Sequence, residues 1–442
     1  MTSEGEIFDV IVVGCGPSGI SAAIELQKTP SVKFTVLEAR DRIGGRVFTD
    51  ITTFGPNAPV DLGAQWIHHY RPENSLHKYH QLSKGFKSDY HFILRSSTTP
   101  IFDIDGTRIS EEKISEAEKI YDQLYKRIIE SAPLLSVDKS VHDVIKSEYD
   151  QLTTDSQVKR LVDLSFGFIE QYEAENLDHL SAKSFLTSDD ELEEFNLALP
   201  NGFGTFIQQI VRDHQLSVRL NSVVTRIDAS SPDSLVQIHT KDNGIFRCKY
   251  VLVTIPLGCL KHRSIEFVPE LPEWKQNAID TMGYGIAGKI VLQFPYVFWD
   301  LSYETILCTS PRFRFILCRP DVGILHIKTA ARVTTEIGNK ADQETIDEVM
   351  TLIRKLFPDA NVPEPSRYLI TKWEHDPFAM GAYSYFAVGA DNQTLMSLAR
   401  ECHERIYWAG EHANYNGTLG CVDSAFDSGR REAKRIVDKL NP

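Results

Sequence analysis

The chain has 442 residues, enough for two or three domains with a sizeable core, and its 42% hydrophobic and 24% charged residues are those of an ordinary globular protein. A formal charge of -14, with no basic tract to offset it, argues against nucleic acid as a direct partner and suits a small cationic substrate. The 7 cysteines show no metal-ligand spacing, so free thiols in a reducing compartment and no metal site are expected. The start MTSEGEIFDV has no secretory pattern, no apolar run reaches the roughly 18 residues of a membrane helix, and RIVDKLNP is neither an anchor nor an SKL-type address. The expectation is a cytoplasmic monomer or homodimer with no membrane partner.

The opening stretch DVIVVGCGPSGISAAIELQKTPSVKFTVLEARDRIGGR spaces a strand (Val10 to Val13), a glycine turn (Gly14, Gly16, Gly19), a helix (Ile20 to Gln27) and a second strand (Phe34 to Leu37) ending at Glu38. That order is a dinucleotide-binding βαβ unit. Gly14 permits the tight turn, Gly16 lets backbone approach a pyrophosphate at the helix N-terminus, and Gly19 lets helix and strand pack closely. Glu38 is placed to accept hydrogen bonds from a ribose. The unit alone does not separate FAD from NAD. The following glycine pair, with Arg40, Arg42 and Arg46, can answer further phosphate charge.

In VDLGAQWIHHY, Gly63 and Ala64 are small enough for backbone to pass close to a flat ring, while Trp66 and His68 add an aromatic and a titratable group. Apolar residues from Glu111 to Ala132 recur at three- and four-residue spacing, which predicts an amphipathic helix. Helices are also expected from Val141 to Leu152, begun by Ser140, and from Val158 to Ile169. Residues 80–195 therefore read as a helical insertion. Within it the run DDELEE, which includes Asp190 and Glu191, is either a solvated loop or a rim that steers polycations toward a cleft.

Strand patterns return at Leu216 to Ile227, Leu235 to Thr240 and Phe246 to Ile255, with a turn at Asn243 and Gly244. A strand from Gly288 to Phe294 carries Lys289 at its start, and strands around Phe313 to Cys318 and Ile324 to Thr329 precede a helix from Gln343 to Phe357. The chain closes with a short strand (Ile406 to Ala409), a turn at Gly410 and Glu411, and a helix beginning between Gly420 and Ala425. Its N-terminus can offer backbone donors to a polar ring edge.

The order of these motifs resembles the flavin-containing amine oxidase family, in its polyamine oxidase and lysine-specific demethylase branch. The blocks are VVGCGPSG with LEARDRIGGR, DLGAQWIH, LPNGFGTF, VLVTIPLGCLK with FVPELPEWKQNAI, GYGIAGKIVLQF, WEHDPFAMGAYSY, and YWAGEHAN with SGRREA. Together they span nearly the whole chain. The resemblance implies an α/β fold: a Rossmann-like FAD-binding domain assembled from discontinuous segments (1–80, 200–262 and 400–442) and an α+β substrate domain (81–199, helical, and 263–399).

By resemblance, Gly14, Gly16, Ser18, Gly19, Glu38, Arg40, Gly45 and Arg46 hold the AMP and pyrophosphate half of a noncovalent FAD, and Val224 makes a backbone contact to adenine. Gly63, Ala64, Gln65 and Trp66 would line the isoalloxazine, flanked by Trp373. Gly410 and Glu411 would lie near the ribityl and phosphate part, and Val422 near the pyrimidine edge. Lys289 matches the family lysine that holds a water at flavin N5, Tyr383 one aromatic wall of the substrate cage, and His68 a substrate-facing histidine. Asp190 and Glu191 fall where relatives place acids near the entrance.

The sequence departs from the family at the second cage wall, where Cys421 stands for Tyr, Thr or Ser and Asp423 for His, and at His69, where Gly is usual and the entrance could narrow. Ala382 stands where monoamine oxidases carry the cysteine that tethers flavin. The implied activity is oxidation of a C–N bond of a polyamine or acetylated polyamine, with imine hydrolysis and reoxidation by O2 to hydrogen peroxide. The alternatives are an L-amino acid or other amine oxidase, in which an arginine such as Arg314 would take the substrate carboxylate, or a noncatalytic flavin-binding protein.

Overall fold

The computed structural model describes residues 6–83, 86–88, 99–151, 155–184, 196–231 and 235–441. The first strand (Ile7–Val13) lies inside an eight-stranded sheet, parallel to Phe34–Leu37 on one side and to Ile245–Val253 on the other. Ile406–Trp408 returns from far along the chain to pair in parallel with Ile245–Val253. Val10 and Val12 pack with Ile20, Leu252 and Phe426 on one face, and Ile11 and Val13 with Val251, Val253 and Trp408 on the other. A strand covered on both faces must be apolar at every position, which explains the unbroken run VIVV.

Two helices cover the first of these faces, Pro17–Leu26 and the C-terminal Val422–Leu440, and they touch through glycine. A Cβ on Gly429 would lie 2.0 Å from the Ser18 carbonyl oxygen, so a larger residue would force the helices apart. Gly19 works the same way against the strand. A Cβ there would lie 2.0 Å from the Gly14 oxygen, and Gly14 itself sits at φ +105°, in the region that favours glycine.

A six-stranded sheet runs Arg367–Ile370, Ala287–Gln293, Ile324–Ala330, Phe315–Arg319, Thr305–Cys308 and Ile101–Phe102. Ile290, Leu292, Leu325 and Ile327 on one face pack with Val349 and Ile353 of the helix Asp342–Leu356. Alternation turns Lys289, Val291, His326 and Lys328 to the other face, with Lys289 directly opposite Lys328 across the antiparallel pair.

The expected helices are present as Glu111–Ser131, Val141–Tyr149 and Ser156–Glu173. The cap of the second was expected: Ser140 Oγ accepts from the Asp143 N–H at 3.0 Å; the third starts two residues before its expected bound, where Asp155 accepts from Gln157 and Val158. The stretch is not helical throughout. Asn196–Ala198 bridges Trp66–Ile67 and Phe86–Ser88 in a three-stranded sheet, and Ile101–Phe102 edges the six-stranded one. These strands are two or three residues long, too short for an alternating pattern to register.

Candidate active site

One long cavity runs along the C-terminal ends of the first two strands and on toward the lysine face of the second sheet. At its first end the wall is Ser222, Val223 and Val224 with Glu38, whose backbone oxygen accepts from the Ser222 N–H at 2.8 Å. The Glu38 carboxylate is buried and oriented by two backbone donors, Cys15 N–H at 2.7 Å and Arg40 N–H at 2.9 Å. An acceptor fixed in this way beside a glycine turn suits a sugar diol.

The adjoining wall holds the start of the first helix. Its N-cap, Gly16, makes no side-chain cap, and a Cβ built there would meet nothing within 4 Å, so the free N–H groups of the first turn face open space. The C-terminal helix also begins at this cavity, with Cys421 as an N-cap whose side chain does not cap the helix and Val422 as its first residue. Two uncapped helix N-termini on one cavity, with an oriented carboxylate at its end, fit a ligand that is anionic in its middle and polar at its far edge. That is the shape of FAD, and the residues present fit it.

Arg46 and Glu411 tie the middle together. Arg46 donates to Glu411 at 2.8 Å and to the Ala382 oxygen at 2.6 Å, while Glu411 also accepts from the Ser384 backbone at 3.3 Å and hydroxyl at 3.2 Å. Burial opposes the Arg46 charge, yet Tyr284 and Glu411 outweigh it and hold its pKa above the usual arginine range. Gly410 beside them sits at φ +153°, with a Cβ position that the His412 ring would block at 2.4 Å. Arg40 is paired bidentately with Asp376 at 2.8 and 2.7 Å, which joins the loop after Glu38 to the 373–383 segment.

Further in, Gly63 lies so close to Arg46 that a Cβ would sit 1.8 Å from its carbonyl oxygen and 3.4 Å from the Trp373 ring. The Trp373 indole N–H donates to the Leu62 oxygen at 2.9 Å and so fixes the ring as a wall. Lys289 reaches across from the second sheet, and its Nζ donates to the oxygens of Asp61 at 2.6 Å, Gly63 at 2.8 Å and the Gln65 side chain at 3.2 Å. Burial, partly offset by Asp61, lowers its pKa to about 8. At pH 7 the three-donor ammonium is the major form, and the neutral amine grows only as pH rises through about 8.

At the far end stand Tyr383, Trp66, His68, Asn196, Lys328 and the segment Gln171 to Glu173. The Tyr383 hydroxyl donates to the Gln171 oxygen at 3.0 Å, which sets the plane of that wall. His68 Nδ1 lies 2.8 Å from Asn196 Oδ1; with the amide oxygen there, Nδ1 carries the proton and Nε2 the lone pair. Burial depresses the His68 pKa to about 4, against the Asn196 bond and with help from His69 and Lys328, so the ring is neutral.

Of the expected site residues that are described, all but Gly19 line this cavity. Gly19 is a packing residue, as its contact with Gly14 requires. Asp190 and Glu191 lie outside the described residues. Arg314 does not line the cavity; it pairs with Glu170 at 2.6 Å and is not placed to bind a substrate carboxylate there. His69 does not line it either. It sits at φ +48°, in the left-handed region that favours glycine, and its charge acts on Asp423, a carboxyl that burial raises to about 6. Neither His69 nor Asp423 lines the cavity, so of these two and Cys421 only Cys421 touches it.

Asn196, Lys328 and Glu173 were not foreseen. Asn196 begins a three-residue strand and Glu173 ends a helix, and neither has a motif around it. Lys328 carried a faint signal, since ILHIKTA alternates, but its pairing with Lys289 depends on which strands become neighbours.

Among the described residues there is no group of three or more His, Cys, Asp or Glu that could hold a metal ion, and no helix long and apolar enough to cross a membrane. The family model for flavin containing amine oxidoreductase matches residues 17–437. The chain is 31% identical to polyamine oxidase 4 of Oryza sativa subsp. japonica over 97% of its own length and 89% of that protein's. It is also 31% identical to probable polyamine oxidase 4 of Arabidopsis thaliana, over 95% and 85%. Lysine-specific histone demethylase 2 of Homo sapiens is 28% identical over 97% of this chain, which spans 53% of that longer protein. With the cradle, the lysine and the aromatic walls in one cavity, these matches establish that the chain belongs to the flavin-containing amine oxidoreductase family and is an FAD-dependent enzyme.

Proposed function

We propose that the enzyme oxidises a C–N bond of a polyamine or N-acetylated polyamine. The observation that carries this is the continuity of one cavity from the Gly16 and Glu38 cradle to Lys289, Trp373 and Tyr383. The names of the two plant relatives point to the same substrate class.

In this reading Glu38, Arg46, the Gly14 to Ser18 backbone and the Val422 helix start hold FAD noncovalently, since Ala382 offers no thiol before Tyr383. Bound FAD supplies the two-electron acceptor for the C–N bond and returns those electrons to oxygen as hydrogen peroxide. The protein's share is orientation and desolvation. Tyr383, Trp373 and Trp66 form walls that disfavour an ammonium, so the amine enters its neutral, oxidisable form. His68 Nε2 accepts a hydrogen bond from a substrate nitrogen, and Lys289 holds a water and passes protons through it, its neutral form growing as pH rises through about 8.

In this reading 1–80, 200–262 and 400–442 bind cofactor and 81–199 and 263–399 bind substrate; the boundary at 263 does not coincide with the sheets, since Glu266–Val268 pairs with Val224–Asp228 in the eight-stranded sheet. The net charge of -14 supports small cationic amines rather than nucleic acid, and the reading takes the protein as a cytoplasmic monomer or homodimer. A peroxide-coupled screen of spermine, spermidine, their acetyl forms, monoamines and L-amino acids tests the proposal. Peroxide is expected with polyamines or their acetyl forms, and turnover confined to amino acids would overturn it.

A further inference from the structure

The block LPNGFGTF has no part in the cavity walls, yet it folds against the residues that hold Lys289. The chain turns at Gly202, φ +83°, where a Cβ would lie 2.3 Å from Thr49 Cγ2, and then starts the helix Phe203–Asp213. As N-cap, Gly202 has no side chain to satisfy the first N–H groups. Thr49 and Asp61, directly opposite each other in a short antiparallel strand pair, do so instead. Asp61 Oδ1 accepts from the Phe203 N–H at 2.8 Å. Thr49 Oγ1 accepts from the Gly204 N–H at 2.8 Å and donates to Asp61 Oδ1 at 2.5 Å.

The same Asp61 meets Lys289 through its backbone, whose oxygen accepts from Nζ at 2.6 Å. The other acceptors on Nζ, the Gly63 oxygen and the Gln65 side chain, are also uncharged. An ammonium enclosed by neutral oxygens, in a residue 9% exposed, is unfavourable without a counter-charge nearby. The Asp61 carboxyl, 8% exposed, is placed to supply it, and the two charges act on each other. Burial raises that carboxyl to about 6, against Thr49, Lys289 and the two helix N–H groups, so it is an anion at neutral pH. His326 and the cross-strand partner Lys328, on the same sheet face as Lys289, can offer positive charge or none. On the other flanking strand, Arg367 and Tyr368 stand opposite Gln293 and Leu292, away from Lys289, and Lys372 beyond it pairs with Asp342 at 2.8 Å.

We propose that Asp61 is a positioning residue for Lys289: its backbone oxygen fixes the amine at the cavity wall, and its carboxylate, held by Thr49 and the start of the helix Phe203–Asp213, is the counter-charge that keeps the amine an ammonium donor at neutral pH. The proposal rests on the role given to Lys289 above and on no choice of amine. Removing the charge favours the neutral amine, so loss of its proton should move to lower pH.

The test uses flavin-loaded protein labelled with an NMR-active carbon isotope at lysine Cε, in which the Lys289 signal is the one missing from Lys289→Met. In wild type that signal should titrate near about pH 8. Asp61→Asn keeps an oxygen for both donors without the charge and should move the titration down by about 1 unit, and Asp61→Glu should restore most of the shift. The pH at which flavin reduction or reoxidation gains rate should move with the signal. Lys289→Met reads the same coupling from the acid: in protein labelled at the aspartate carboxyl, the signal that Thr49→Val also shifts should titrate about 1 unit higher without the lysine. The proposal is overturned if Asp61→Asn, or Lys289→Met should Asp61→Asn lose its flavin, leaves the partner's titration unchanged. A moved signal beside an unmoved rate profile would overturn the role given to Lys289, and this proposal with it. The titrations need no substrate, so a failed amine screen overturns the polyamine reading alone.

Discussion

Lys289 shows how far one residue's identity depends on its company. At a strand end a lysine is ordinarily solvated, but here its Nζ is enclosed by Asp61, Gly63 and Gln65 and its pKa falls to about 8. Because burial disfavours the charged form, the neutral fraction grows as pH rises through about 8. Flavin reduction or reoxidation should therefore show a limb rising with pH near that value in rapid-mixing measurements. Lys289→Met should keep FAD, slow the affected step by about 100-fold or more, and lose the limb. A mutant with wild-type rates would remove the role. The sequence made Lys289 visible through its family block, whereas Lys328, three strand residues after the unremarkable Leu325, gained meaning only from its register against Lys289.

At the level of elements, the pieces with strong periodicity were legible and those held by single contacts were not. The opening strand, glycine turn and helix, and the later helices, lie close to their expected bounds because apolar spacing and caps specify them locally. The expected strand from Leu216 to Ile227 is instead two, Val218–Arg219 and Val224–Asp228, broken where Asn221 turns to φ +54°. The helix Phe203–Asp213 is an exception: it was not expected although Phe203, Phe206, Ile207 and Ile210 recur at helical spacing, and its start is further fixed by a tertiary fit, since a Cβ on Gly204 would lie 2.6 Å from the Thr49 nitrogen. The same kind of fit joins the two helices that open onto the cavity. Gly429→Ala should destabilise the protein by about 1–3 kcal/mol, the usual cost of overpacking, and weaken FAD retention, measured as a lower Tm and a lower flavin-to-protein ratio. An unchanged Tm would show that the helices can separate freely, contrary to the 2.0 Å approach to Ser18.

Over the whole molecule, residues far apart in the chain are locked in pairs around one cavity: Arg46 with Glu411, Arg40 with Asp376, Trp373 with Leu62, and Lys289 with Asp61. The order of motifs made this assembly readable, but the walls facing the substrate were not, since Asn196, Glu173 and Lys328 come from three separate elements. A ligand bound among so many segments should stabilise them together. FAD at about 100 times its Kd should add about 2.7 kcal/mol, seen as a higher Tm for the loaded protein than for protein stripped of flavin. Equal melting temperatures would mean that FAD does not bind the folded protein in preference to the unfolded chain. The most direct test of the central claim is an anaerobic titration of the flavin-loaded protein with N1-acetylspermine and spermine, followed by admission of air. The visible flavin band should bleach with at least one amine and return with release of hydrogen peroxide; a band that stays oxidised with both, in protein that retains its flavin, would contradict the account.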